Sequence, residues 1–155
     1  GKQASSLRAA PMFPEFTVQM RDWVYIYNPW VDGKKEVHNS DYTHSETLAA
    51  IWAAADTVPG IKTRSEFHKF RIIEELYNVR KDPHAYRNLA YKEEYAPRVE
   101  EMRQILIDWM QETHHPALEL MNDPYNEKLI DEYMKWEADN AREEIDEVMA
   151  LKKRE

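Results

Sequence analysis

One short part of the chain alternates apolar side chains with others in the manner of a β-hairpin. Phe16, Val18 and Met20 alternate, residues 23–27 are aromatic or β-branched, and Arg21-Asp22 separates the two runs. A period of two residues brings alternate side chains to one face of a strand. The pattern therefore predicts an antiparallel hairpin, and any fold of this chain must place a sheet face against the later helices.

Apolar residues at spacings of three and four predict a helix over residues 96–113. Its expected buried face consists of Val99, Met102, Leu106, Trp109 and Met110. Such a stripe has to be covered by another element, and the hairpin is the nearest sheet. We expect this helix to cover the sheet and to bury Trp109 fully.

Capping boxes predict where two earlier helices begin. The T-H-S-E sequence at Thr43 opens a helix that Pro59-Gly60 ends, and the T-R-S-E sequence at Thr63 opens a shorter helix through about Ile72. Asp123-Pro124 precedes a long last helix. Its apolar side begins with Leu129, Ile130, Tyr133 and Met134.

A third strand and a tight turn are predicted in the string E-L-Y-N-V-R-K-D-P-H-A-Y-R-N-L-A, residues 75–90. Residues 75–79 are the strand, Asp82-Pro83 forms the turn, and Asn88 caps the next turn of the chain. The fold class is therefore α+β. A small antiparallel sheet of three to four strands packs against an amphipathic helix, with further helices and a long C-terminal helix around it.

The composition of the chain excludes several classes of binding partner. The chain has 155 residues, enough for one domain, and 29 acidic against 21 basic residues give a net charge of −8. This balance argues against nucleic acid as a partner. No apolar run approaches the roughly 18 residues of a membrane span, so no membrane partner is predicted. The absence of cysteine excludes thiolate metal sites. The start at Gly1, without Met, predicts a piece of a longer protein.

Three segments resemble motifs of one enzyme family, the type I sulfatases. Residues 75–90 resemble E-L-Y-D-x-x-x-D-P-x-E-x-x-N-L-A near the C-terminus of these enzymes, and residues 19–25 are similar to their preceding hairpin. Residues 109–116 resemble the W-x-x-E-T-x-D-P end of the N-sulfoglucosamine sulfohydrolase (sulfamidase) branch. Asn78 and His115 stand where these motifs have Asp. The matches occur in the family's order over about residues 16–116.

The resemblance implies a subdomain without the catalytic centre. Sulfatases use a formylglycine made within C/S-x-P-x-R, together with calcium held by Asp and Asn, and no serine here has a proline two residues later. The implied organisation is a lead-in (1–15), a sulfatase-like C-terminal subdomain (16–116) and a C-terminal helical extension (117–155). The parent would use calcium and formylglycine, whereas this part holds no cofactor and hydrolyses nothing alone.

The implied partners are the catalytic domain of the same parent chain and a sulfated sugar. The resemblance suits an exported parent in a periplasmic, extracellular or lysosome-like compartment, although the sequence itself leaves the compartment open. Two rival interpretations are a free-standing protein-interaction module and a sugar-binding module. The long last helix is also a candidate for self-association, because its apolar side would be exposed outside the parent.

Candidate substrate-rim residues lie in two places. The resemblance points to the loop at residues 28–42, with His38 and Asn39. The segment 62–71 carries four basic residues and one acid, a net charge of +3. There a helical wheel puts Arg64, His68 and Arg71 on one face and Phe67 and Phe70 on the other. This basic face is either an ordinary solvated surface or a rim for a sulfated sugar. No metal site is predicted.

Two pairs of adjacent acids, Glu74-Glu75 and Glu93-Glu94, are interpreted as solvated faces rather than catalytic groups. Charged side chains are mostly exposed in folded proteins, which favours this simpler interpretation.

Overall fold

Three strands form one antiparallel sheet in the order β1-β2-β3. The computed structural model describes residues 13–31, 34, 36 and 45–152, and side chains at all of these except 144, 145, 148 and 152. The strands are β1 (Phe16–Met20), β2 (Trp23–Tyr27) and β3 (Glu74–Asn78). A two-residue turn joins β1 to β2, and β3 pairs with the other side of β2. The predicted α+β class and the hairpin are confirmed.

Five α-helices accompany the sheet in the described residues. They are α1 (Glu46–Ala55), α2 (Pro59–Phe70), α3 (Ala96–Glu112), α4 (Leu118–Asn122) and α5 (Glu127–Lys152). A short 3₁₀ turn, Glu93–Tyr95, leads into α3. The prediction for α3 is accurate at both ends, whereas α4 was not predicted because its five residues are too few to show a helical period.

The predicted boundary between α1 and α2 is wrong. Pro59 does not end a helix but opens α2, while α1 already ends at Ala55. Proline suits the first helical position, because the N–H that it lacks would have no intrahelical partner there. At the start of α1, the Ser45 hydroxyl oxygen accepts a hydrogen bond from the N–H of Leu48 (3.3 Å). The predicted cap at Thr43 lies outside the described residues.

Helix α3 covers one face of the sheet. The strand register brings Val18, Tyr25 and Leu76 side by side on this face. From α3, four apolar side chains are buried in the shared core, namely Val99, Met102, Leu106 and Met110. Trp109 is not among them, since 44% of it remains exposed. Met110 occupies the core position, so the indole lies at the helix edge against the rings of Phe16 (6.3 Å between centroids) and His115 (5.4 Å).

The opposite face is covered at one edge and open at the other. Thr17 and Gln19 of β1 are exposed, and Val24 and Ile26 of β2 are half-buried. On β3, Glu75 and Tyr77 are buried. Helix α2 lies over this edge and packs against α1, but the only buried residue of α2 is Ser65.

The segment after β3 returns along the outer edge of that strand. The Asp82 carboxylate accepts a hydrogen bond from the Arg87 N–H (2.8 Å), as the predicted turn requires. Asn88 has a larger role than the expected cap. Its side-chain oxygen accepts from the N–H groups of Leu76 and Ala90 (both 2.9 Å), and its amide donates to the Glu74 carbonyl (3.1 Å). The free edge of β3 is thereby protected from pairing with another chain.

Helix α5 meets the core near its start, where Ile130 and Tyr133 are buried. With 26 residues it is about 39 Å long. Further along it, Trp136, Met149 and Leu151 are exposed. No helix in the described part of the chain is both long enough and apolar enough for a bilayer span.

Candidate functional site

Two adjacent carboxylates of β3 are buried, which contradicts their interpretation as a solvated pair. Glu74 is 8% exposed and Glu75 is 2% exposed. Successive side chains of a strand point to opposite faces, so the two acids enter two different interiors. Arg103 of α3 neutralises Glu74, and Arg71, directly after α2, neutralises Glu75. The second pair, Glu93 and Glu94, is exposed as predicted.

Glu74 is held beneath α3. Arg103 donates from Nη2 to both carboxylate oxygens (2.7 and 2.9 Å) and from Nε to one of them (2.9 Å). The Tyr25 hydroxyl donates a further hydrogen bond to the carboxylate (2.6 Å). Burial, and then the charge of Glu74, raise the pKa of Tyr25, so the phenol remains a donor throughout the ordinary pH range. A bidentate arginine pair of this kind fixes α3 against β3.

Glu75 is held on the opposite face at the end of α2. It accepts hydrogen bonds from the Asn28 amide (3.1 Å) and the Tyr77 hydroxyl (2.6 Å), and Arg71 Nη2 lies 2.9 Å from it. Arg71 also pairs with Glu15 (3.1 Å). Arg71 is therefore committed to an internal carboxylate, which argues against its predicted place at a substrate rim.

The expected separation of arginines and phenylalanines around α2 is wrong. Both guanidinium groups, those of Arg64 and Arg71, lie over the ring of Phe67, at 5.2 and 5.1 Å from its centroid. Helix α2 ends at Phe70, and Arg71 has a left-handed backbone with φ of 54°. The helical wheel does not apply to Arg71, because the chain has already left the helix there.

A cavity of about 540 Å³ opens between α2, α1 and the segment after β3. Its walls are largely apolar or aromatic and include Ile51, Ile61, Phe67, Tyr77 and Tyr86. Among the described residues that line it, the charged one is Arg64. This Arg64 cavity is the candidate functional site. Its aromatic members were not predicted; the sequence signal for them was Tyr86, a tyrosine in a turn, which is 68% exposed.

The guanidinium group of Arg64 is held between two aromatic rings. It lies 5.2 Å from the centroid of Phe67 and 5.4 Å from that of Tyr86, within the range of cation–π attraction. Arg64 has no ion pair with another residue that the structure describes. Its charge is therefore oriented by the rings but is not neutralised by a described carboxylate, which suits the binding of an anion.

Of the other predicted site residues, the structure describes His68 but not His38 and Asn39. Burial first, and then Arg64 and Arg71, lower the pKa of His68, so this imidazole is neutral near pH 7 and adds no charge to the site. His38 and Asn39 lie outside the described residues. Within residues 13–31 and 45–152, together with 34 and 36, no three acidic or histidine side chains form a group that could hold a metal ion.

Comparison with known proteins adds no assignment. No protein-family model matches the chain, and no curated protein matches it. The interpretation of function therefore depends on the sequence motifs and on the geometry of the Arg64 cavity.

Proposed function

We propose that this chain is the non-catalytic C-terminal subdomain of a sulfatase-type hydrolase that acts on sulfated substrates. In this role it supports the catalytic domain of the same parent chain and contributes to the shape of its pocket. The supporting observation is that the three sulfatase-like segments, which are far apart in sequence, pack together. The Val79 N–H donates to the Asp22 carbonyl (2.8 Å), which joins the second and first segments. The third segment packs on strand β1, whose end overlaps the first segment, because the His115 ring meets that of Phe16 edge-on at 5.0 Å.

The buried ion pairs favour a supporting role over a catalytic one. The carboxylates of Glu74 and Glu75 are each saturated by arginine and by hydroxyl or amide donors. An acid that already accepts several hydrogen bonds in the interior is poorly placed to take a proton from a substrate. These pairs instead hold α2 and α3 to the sheet, so that a partner domain would meet a rigid surface.

Arg64 is the residue that best suits contact with a sulfated substrate. Its planar donors match the oxygens of an oxyanion, and they are not occupied by an ion pair with a described residue. His68 and Arg71, the other candidates on this segment, are respectively neutral and already paired. Of the three candidates on this segment, Arg64 alone is therefore proposed to contact the substrate, at the edge of the subdomain.

The test is a comparison of the isolated chain with its parent. We expect no hydrolysis of aryl sulfates or sulfated glucosamine by the chain alone, with or without calcium, and a C/S-x-P-x-R motif in the same reading frame upstream. Acceleration needs a positioned nucleophile together with charge stabilisation. Calcium-dependent turnover by the pure chain, or a stop codon and separate promoter directly before residue 1, would contradict the proposal.

The Arg64 cavity favours a second candidate function, a binding module that works without a catalytic domain. A cation without an ion pair to any described residue, set in a largely apolar cavity, is a complete recognition element by itself. The two functions differ in one measurable respect. A module binds its ligand as the isolated chain, whereas a supporting subdomain acquires activity with the rest of its parent.

A further inference from the structure

We propose that the Arg64 cavity binds a small organic acid that carries one carboxylate on an apolar or aromatic body. The inference is drawn from the lining of the cavity and does not rest on the sulfatase proposal. A volume of about 540 Å³ falls within the range of roughly 300–1,000 Å³ typical of small-molecule sites.

The carboxylate is assigned from a comparison of three arginines that lie over aromatic rings. Arg71 lies over Phe67 but pairs with Glu75 and Glu15. Arg98 lies over Trp23 at 5.5 Å but pairs with Glu101 at 2.5 Å. Arg64 alone among these three lacks a carboxylate partner in the described part of the chain. Its planar donors can form two parallel hydrogen bonds to a carboxylate, the group that neutralises the other two arginines.

The apolar body is assigned from the walls. Ile51, Ile61 and Phe67 offer no hydrogen-bonding groups on their side chains. A polyhydroxylated body seated inside the cavity would leave hydroxyl groups against these walls without partners, which is unfavourable. An apolar ring instead removes apolar surface from water on both sides of the contact.

Two polar side chains in the lining, Tyr77 and Asn88, are occupied already. The Tyr77 hydroxyl donates to Glu75 (2.6 Å), and both ends of the Asn88 amide are bonded to the backbone of residues 74, 76 and 90. Burial, and then the hydrogen bond to Glu75, raise the pKa of Tyr77, so this phenol keeps its proton and its partner. The Thr63 and Tyr86 hydroxyl groups also line the cavity, so Arg64 is its charged anchor, and one acidic group on the ligand is sufficient to pair with it.

The first experiment uses the full chain and three probes in an NMR or calorimetric titration. 2-Naphthoate should bind saturably, 2-naphthamide should bind about tenfold more weakly because it lacks the charge, and acetate should not saturate because it lacks the apolar body. If 2-naphthoate fails to saturate, or if acetate binds as tightly, the proposal is wrong.

Two variants locate the site. Arg64→Gln should weaken 2-naphthoate binding about tenfold, whereas the matched control Arg98→Gln, at another arginine–aromatic contact, should leave it unchanged. Equal affinity of the Arg64→Gln variant and the wild type would overturn the assignment.

Gly60→Glu provides a variant that should fold at least as well as the wild type. A Cβ at Gly60 meets no atom within 4 Å, and the position lies in the first turn of α2, where acids are favoured. The new carboxylate stands four residues before Arg64, the favourable orientation for an ion pair on a helix. The new carboxylate should pair with the Arg64 guanidinium in place of the ligand. The variant should therefore weaken 2-naphthoate binding as Arg64→Gln does. Full retention of affinity in this variant would also count against the proposal.

Discussion

Each face of the sheet holds a buried glutamate that is paired with an arginine, but the packing around the two ion pairs differs. On one face Arg103 of α3 neutralises Glu74, and on the other Arg71 at the end of α2 neutralises Glu75. Helix α3 adds four buried apolar side chains to its ion pair, whereas α2 buries only Ser65. The first face is a closed core, and the second retains the Arg64 cavity. The incompletely packed face is therefore the one available for a ligand.

The difference also indicates what each arginine contributes. Beneath α3, hydrophobic burial supplies most of the attraction, and the ion pair mainly avoids the penalty of an isolated buried charge. Beneath α2, the helix itself buries little apolar surface. The ion pair of Arg71 and its stacking on Phe67 therefore contribute a larger part of the attraction between α2 and the sheet.

The largest expected effect is at the closed face. Arg103→Met should lower the free energy of unfolding by about 3–5 kcal/mol, because Glu74 would remain buried without its cation. Urea denaturation at pH 7 measures this. Arg98→Met on the same helix breaks a more exposed pair and should lose less than about 1 kcal/mol. Glu74→Gln added to Arg103→Met should recover part of the loss, and a loss below about 1 kcal/mol for Arg103→Met alone would refute this account.

An intermediate loss of stability is expected from substitutions on α3, and its size should depend on whether the side chain faces the core or lies at the edge of the helix. Met102→Ala should cost about 2–5 kcal/mol, since this side chain is fully buried. Trp109→Ala should cost only about 1–2 kcal/mol, although the side chain is larger, because nearly half of it stays in water. Parallel chemical denaturation of the two variants provides the measurement. A larger loss for Trp109→Ala would mean that the indole, and not Met110, faces the core.

The smallest expected effect is a loss of stability in mild acid. The pKa of His68 is lowered by burial and then by Arg64 and Arg71, and that of His115 by burial against the opposing charge of Glu137. Below the ordinary value of 6.5, the unfolded chain therefore binds more protons than the folded one. The free energy of unfolding should fall as the pH drops from about 7 toward the folded pKa values.

Denaturation at several pH values tests this sign for each region. His68→Gln and His115→Gln should each flatten the dependence, because burial lowers the pKa of both imidazoles in the folded chain. A pH dependence unchanged in both variants would show that other groups govern it.

Local patterns were sufficient for much of the fold. The alternation of residues 16–20 and the three-and-four spacing of residues 96–112 predicted β1 and α3, because side-chain period follows directly from backbone geometry. The hydrogen bond from Arg87 to Asp82 likewise follows from turn chemistry within five residues of sequence. The boundary at Pro59 was less determinate, because proline is equally suited to end one helix or to begin the next.

The candidate site was predictable only in part. Arg64 was identified from its local charge, but the rings of Tyr77 and Tyr86 that share the cavity come from other parts of the chain. Arg71 was misjudged, because the wheel was extended past the end of the helix at Phe70.

By itself, the sequence determined the elements that repeat a local pattern, namely the hairpin, the covering helix and the turn at Asp82. Tertiary structure decided which charges are buried and which remain available. Arg103 reaches Glu74 across 29 residues, and Asn28 reaches Glu75 across 47, so no local pattern contains these pairs. A charge can be buried only where a partner, near or far in the sequence, offsets its loss of hydration. The same packing that gave Arg71 and Arg103 their carboxylates left Arg64 without one among the described residues.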